Sequence, residues 1–144
     1  GKRTVMDFHR SLGKIMWDYC GIARDEQGLQ TAKHMIAELR EEFWKNANIP
    51  GDAADFNQAL ENAGRVADFM EFGELMVKDA LDRKESCGCH FNIAYQTEDH
   101  EALRDDENFC HVSAWQYTGP DTDPVMHTEA LTFENVELTQ RSYK

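Results

Sequence analysis

Cys87-Gly88-Cys89-His90 places two thiols and an imidazole within four residues. Thiolates and imidazoles are the donors that soft metal ions prefer. A closed site would need a fourth donor, which Cys110, His111 or His100 could supply. A C-x-C pair is tighter than the spacing usual for structural zinc. The segment therefore reads as small residues at a tight turn after a helix. Between Glu98 and Glu107 lie six carboxylates and one Arg. They lack the D-x-[DN]-x-[DN]-G order of a calcium-binding loop, so the run reads as solvated or partner-facing.

Other chemistry is absent from the pattern. No G-x-G-x-x-G opens a βαβ unit, so a dinucleotide fingerprint is missing. There is no P-loop, no H-E-x-x-H and no G-x-S-x-G. The six histidines show no Ser/His/Asp or Cys/His arrangement. By itself the chain is expected to hold no FAD, no metal and no catalytic residue.

Charge excludes further classes. The net charge is −12, and it is uneven: residues 51–144 carry seven basic and twenty acidic side chains. Such a surface repels phosphate backbones and anionic lipid, which argues against nucleic acid and direct membrane contact. No apolar run approaches the ~20 residues of a membrane helix. The four cysteines in 144 residues, without a signal peptide, read as reduced thiols of a cytoplasmic protein. The chain opens Gly1-Lys2-Arg3 without an initiator Met, which fits an excised piece as well as a processed protein.

The elements that must position these residues follow from periodicity. Val5, Phe8, Leu12, Ile15 and Tyr19 form one apolar stripe, capped by Thr4 with Asp7. Asp25 caps a second helix carrying Leu29, Ala32, Ile36, Leu39 and Phe43 on its inner face. Asn48-Ile49-Pro50-Gly51 stops it. Asp52 or Asp55 is expected to cap a third, with Phe56, Leu60, Ala63, Ala67, Met70, Leu75, Met76 and Leu81 as its apolar positions. It is expected to run close to Ser86 with a bend at Gly64 or Gly73. Trp17, Tyr19, Phe43, Trp44, Phe69 and Phe72 are assigned to the core. Residues 110–117 and 125–133 alternate and flank a turn, which predicts a β-hairpin. The fold class is mainly α: an antiparallel, spectrin-repeat-like three-helix bundle over 1–86. Residues 87–144 add a loop, the hairpin and a tail, with 87–109 expected to be the least protected against hydrogen exchange.

Three blocks then stand out. Ala80-Leu-Asp-Arg-Lys-Glu-Ser-Cys-Gly-Cys-His90 is similar to A-L-x-R-K-E-S-R-G-x-H, and Arg104-Asp-Asp-Glu-Asn-Phe109 to R-D-D-E-N-W/F. Both patterns belong to the C-terminal region of the flavoprotein subunits of succinate dehydrogenase and fumarate reductase. The tail Leu138–Tyr143 resembles the end of those subunits, and residues 16–43 match more loosely. Cys87 stands where most members have Arg, Cys89 replaces a small residue, and Asn92 stands where Arg is frequent.

The resemblance implies a helical domain that braces the FAD-binding domain of its own subunit and helps dock the iron–sulfur subunit. FAD would belong to the full-length subunit, and a membrane anchor would be met only indirectly. The whole would lie in the cytoplasm at the inner face of the membrane. Glu85, Ser86, His90, Arg104, Asp105, Asp106 and Asn108 are the implied contact residues, because they sit in the family-like blocks. Two rivals remain: the tail domain of an L-aspartate oxidase-like flavoprotein, and a free-standing helical interaction module.

Overall fold

A computed structural model describes residues 1–52, 54, 56–119 and 122–142. Three long helices dominate it: α1 (Val5–Cys20), α2 (Glu26–Asn46) and α3 (Gln58–Asp82). A short helix, α4 (Asp106–Phe109), follows. Strands β1 (Arg3–Thr4) and β2 (Ala47–Asn48) pair in parallel and join the start of α1 to the end of α2. Strands β3 (His111–Gln116) and β4 (Val125–Ala130) form an antiparallel hairpin, with His111 opposite Ala130 and Gln116 opposite Val125. The expected turn between them includes Pro120 and Asp121, which lie outside the described residues, as does Tyr143 of the tail block.

The caps explain where the helices begin. Thr4 Oγ1 accepts the Asp7 N–H at 3.1 Å and donates to Asp7 Oδ2 at 2.7 Å. Asp25 Oδ1 accepts the Gly28 N–H at 2.7 Å. Each satisfies a donor that has no partner inside its helix. The third cap differs from expectation. Asn57, not Asp52, caps α3: its Oδ1 accepts the Leu60 N–H, while its amide donates to the carbonyls of Pro50 and Asp52. An amide can do both, whereas a carboxylate only accepts. Asp52 instead accepts the Ala54 N–H, and Asp55 lies outside the described residues.

The three long helices contact one another pairwise around one core. Val5, Phe8, Leu12 and Ile15 are buried, with Tyr19 packed at the edge. On α2 all five expected inner residues are buried. On α3 the buried stripe is Ala63, Val66, Met70, Gly73, Val77 and Ala80. Phe56, Leu60 and Met76 face outward, contrary to the reading above. So do Trp17, Trp44, Phe69 and Phe72; Trp17 is 76% and Trp44 70% exposed. Apart from Met70, the inner face of α3 is made of small side chains. Bulky residues are left for the outside.

The helix α3 is unbroken through Gly64 and Gly73. Gly73 receives α1: a Cβ there would meet Met16 Sδ at 3.3 Å and Leu12 Cδ1 at 3.5 Å. The helix ends at Asp82, short of Ser86. The hairpin leans on α3 through Trp115, whose indole N–H donates to Asp79 Oδ1 at 2.8 Å. Lys78 Nζ lies 5.5 Å from the same ring.

Candidate functional site

Past α3 the chain closes into a polar knot. Two guanidinium groups anchor it. Arg83 donates to Glu85 Oε1 at 2.7 Å and to the carbonyls of Phe109 and His111 at 3.2 Å each. Arg24, in the turn between α1 and α2, donates to His90 Nδ1 at 2.8 Å and to the Cys20 carbonyl. His90 Nε2 lies 2.9 Å from the Arg83 carbonyl. A carbonyl can only accept, so Nε2 carries the proton and Nδ1 accepts from Arg24. Burial pushes the His90 pKa down, and the Arg24 and Arg83 charges push the same way; the bond to the Arg83 carbonyl opposes them. His90 is thus held neutral, with both ring nitrogens in use.

Glu85 and Ser86 join the two family-like blocks. Glu85 is 3% exposed, and its Oε2 accepts the Asp105 N–H at 2.9 Å. The Ser86 N–H donates to the Leu103 carbonyl at 2.8 Å. Ser86 Oγ accepts the Asn92 N–H and donates to the Asn92 carbonyl, at 2.9 and 3.1 Å. These groups are buried and partnered, as low-dielectric surroundings demand. Arg104 and Asp106 instead form a two-pronged pair near the surface. Each holds the other in its charged form: the Arg104 pKa is raised by Asp106, and the Asp106 pKa is lowered by Arg104. Asp105 caps α4 through the Asn108 N–H and side-chain amide.

The candidate contact residues therefore separate. Glu85, Ser86 and His90 are internal and hold the knot together. Asp106 and Asn108 are exposed, and Arg104 and Asp105 are half-buried. Sequence reasoning missed Arg83 and Arg24. Arg83 lay within a quoted block, but its reach to residues 109 and 111 depends on the chain folding back. Arg24 carried no local signal.

Residues 87–105 are irregular, as expected, while 106–109 form α4; the segment is tied to the rest of the chain. The Arg24 N–H donates to the Phe91 carbonyl, and the Ile93 N–H to the Arg24 carbonyl, both at 2.9 Å. Among the described residues, no group of three or more His, Cys, Asp or Glu side chains is placed to hold a metal. None of the helices is long and apolar enough to cross a membrane.

The fold is a mainly helical unit with a short hairpin, in which a polar knot joins the two family-like blocks. The family model described as the C-terminal region of the fumarate reductase flavoprotein matches residues 9–143, and the chain belongs to that family. The fumarate reductase flavoprotein subunit of Serratia sp. is 31% identical over 141 residues, 97% of this chain and 22% of that protein. L-aspartate oxidase 1 of Ralstonia nicotianae is 36% identical over 87 residues, 58% of this chain and 14% of that protein. Among solved structures, an E. coli quinol fumarate reductase chain superposes with a TM-score of 0.79 at 24% identity, covering 95% of this chain and 22% of its own. Mycobacterium smegmatis Sdh1 in complex with UQ1 does so at 0.69 and 25%, covering 89% and 20%. The chain spans about a fifth of the length of these relatives.

Proposed function

We propose that this chain is the C-terminal domain of a succinate dehydrogenase or fumarate reductase flavoprotein subunit. In this role it braces the FAD domain and helps dock an iron–sulfur subunit at the cytoplasmic face of the membrane, with a membrane anchor met only indirectly. Its three long helices would act as an antiparallel bundle. One observation carries the reading: the two family-like blocks meet, Glu85 receiving the Asp105 N–H. The knot thereby presents Arg104, Asp106 and Asn108 together on one short, anchored segment. The exposed Trp17, Ile22, Phe69 and Phe72 support a domain that rests against a larger neighbour. FAD and the redox chemistry would belong to the rest of that subunit, which moves two electrons between succinate/fumarate and flavin.

A second reading is favoured by the aspartate oxidase likeness: the same domain on an L-aspartate oxidase. The Serratia alignment takes in nearly the whole chain, hairpin included, whereas the Ralstonia one covers 58%. That difference ranks the respiratory enzyme first. The test is to express the longest reading frame containing this chain, record flavin absorbance, and assay succinate and L-aspartate as electron donors. Succinate oxidation with a co-purifying iron–sulfur protein is the expected result. L-aspartate oxidation without such a partner would transfer the domain to the second reading. A reading frame without flavin would leave a helical interaction module.

A further inference from the structure

Within the knot, the Cys87-Gly88-Cys89 turn sets two thiols one residue apart. We propose that Cys87 and Cys89 form a reversible intramolecular disulfide, made by exchange with a small-molecule disulfide of the glutathione type. Both thiols are exposed. The turn that carries them is closed by reciprocal bonds: the Cys87 N–H to the His90 carbonyl at 2.9 Å, and the His90 N–H to the Cys87 carbonyl at 3.0 Å. Gly88 takes the left-handed conformation, φ 59°, with open space where a Cβ would sit. Folding two steps of about 3.8 Å near a right angle brings Cα atoms i and i+2 to about 5.4 Å. A disulfide spans about 4.4–6.8 Å between Cα atoms.

The base of the turn is fixed. Ser86 and His90 flank it, buried and hydrogen-bonded. Cys20 is the internal contrast: it is buried, and burial pushes its pKa up, so it stays protonated and inert.

The chemistry balances. One protein thiolate attacks a glutathione disulfide sulfur, forming a mixed disulfide and expelling one glutathione thiolate. The second thiolate attacks the protein-side sulfur and expels the other. Two thiols are oxidised, one external disulfide is reduced to two thiols, and the two protons pass from the protein thiols to the expelled glutathione thiolates. A ring closed over one intervening residue is strained, and strained exposed disulfides are the easily reduced, regulatory ones.

The test uses the longest reading frame that contains the chain, equilibrated in glutathione buffers of graded potential. Thiols are trapped with a maleimide and the modified peptides weighed. The expected result is joint loss of both labels at Cys87 and Cys89, with the 87–89 peptide lighter by two hydrogens and fully restored by dithiothreitol. Cys89→Ser should convert this into a persistent glutathione adduct at Cys87. Single adducts on both cysteines of the unsubstituted protein, or free thiols across the whole range, would overturn the proposal.

Discussion

The helices and the knot hold the chain together by opposite means. Between α1, α2 and α3 the buried groups are apolar: Phe8, Leu29, Ile36, Met70 and Val77 are all sealed from solvent. Their contacts are non-directional and scale with area. Between residues 83 and 111 the buried groups are Glu85, Ser86, His90 and Asn92, each held by bonds of defined direction. An apolar core tolerates sliding and substitution of similar volume. A buried polar network does not, because each lost partner leaves another group unsatisfied. The helices therefore set the bulk stability, and the knot sets where the surface residues of 104–108 stand.

Breaking the apolar side should have the largest effect. Phe8 packs edge-on against Phe43, with ring centroids 5.2 Å apart. Phe8→Ala should cost about 3–5 kcal/mol and lower the melting temperature of the whole domain. Breaking the knot should cost less globally and more locally. Glu85→Ala strands the Arg83 charge and the Asp105 N–H, and about 3 kcal/mol is expected. Hydrogen exchange should show the loss between residues 83 and 111 while α1 to α3 stay protected. Uniform loss along the chain would merge the two regions into one cooperative unit.

The third effect depends on pH. His90 has a folded pKa below its unfolded value, so the unfolded state binds the extra proton. Its contribution is full above the unfolded pKa of about 6.5 and fades as pH falls toward the folded value. Denaturant midpoints measured between pH 7 and 5 should therefore fall, and His90→Gln should flatten that slope. Ser86→Ala is expected to cost about 1–3 kcal/mol, from the orphaned Asn92 backbone N–H. Smallest for stability is Asp105→Asn with Asp106→Asn, within about 1 kcal/mol of wild type, as exposed pairs usually are. In the full-length enzyme the same pair should weaken subunit assembly in a salt-dependent way. Unchanged assembly at every salt concentration would remove the docking role.

The two regions also differ in how readily they could be read from residues. The inner faces of α1 and α2 were visible because large apolar residues recur there at helical spacing and almost nowhere else on those faces. On α3 that signal is only partly right: Ala63 and Met70 face inward as expected, with Val66, Gly73, Val77 and Ala80, while Phe69, Phe72 and Met76 face out. A stripe of small residues has little apolar weight, so the bulky outer positions dominate any periodic reading. Thr4 and Asp25 announced their helices as caps; Asn57 did not stand out among neighbouring aspartates. The parallel pairing of β1 with β2 involves two residues each, too few for a pattern. In the knot, the block residues drew notice by their resemblance. Their partners, Arg24 among them, are set by tertiary folding alone.

The Arg24–His90 bond links residues 66 positions apart. Closing so long a loop has an entropic cost, and the α1–α3 contact of Gly73 with Leu12 bears a similar one. The helices can assemble as soon as residue 82 is available, whereas the knot must wait for residue 111. During synthesis the helices would therefore come before the knot. An intermediate with formed helices and an open knot would have the Cys87–Cys89 turn untethered and residues 104–108 not yet in position. Docking competence would then be the last property the domain acquires.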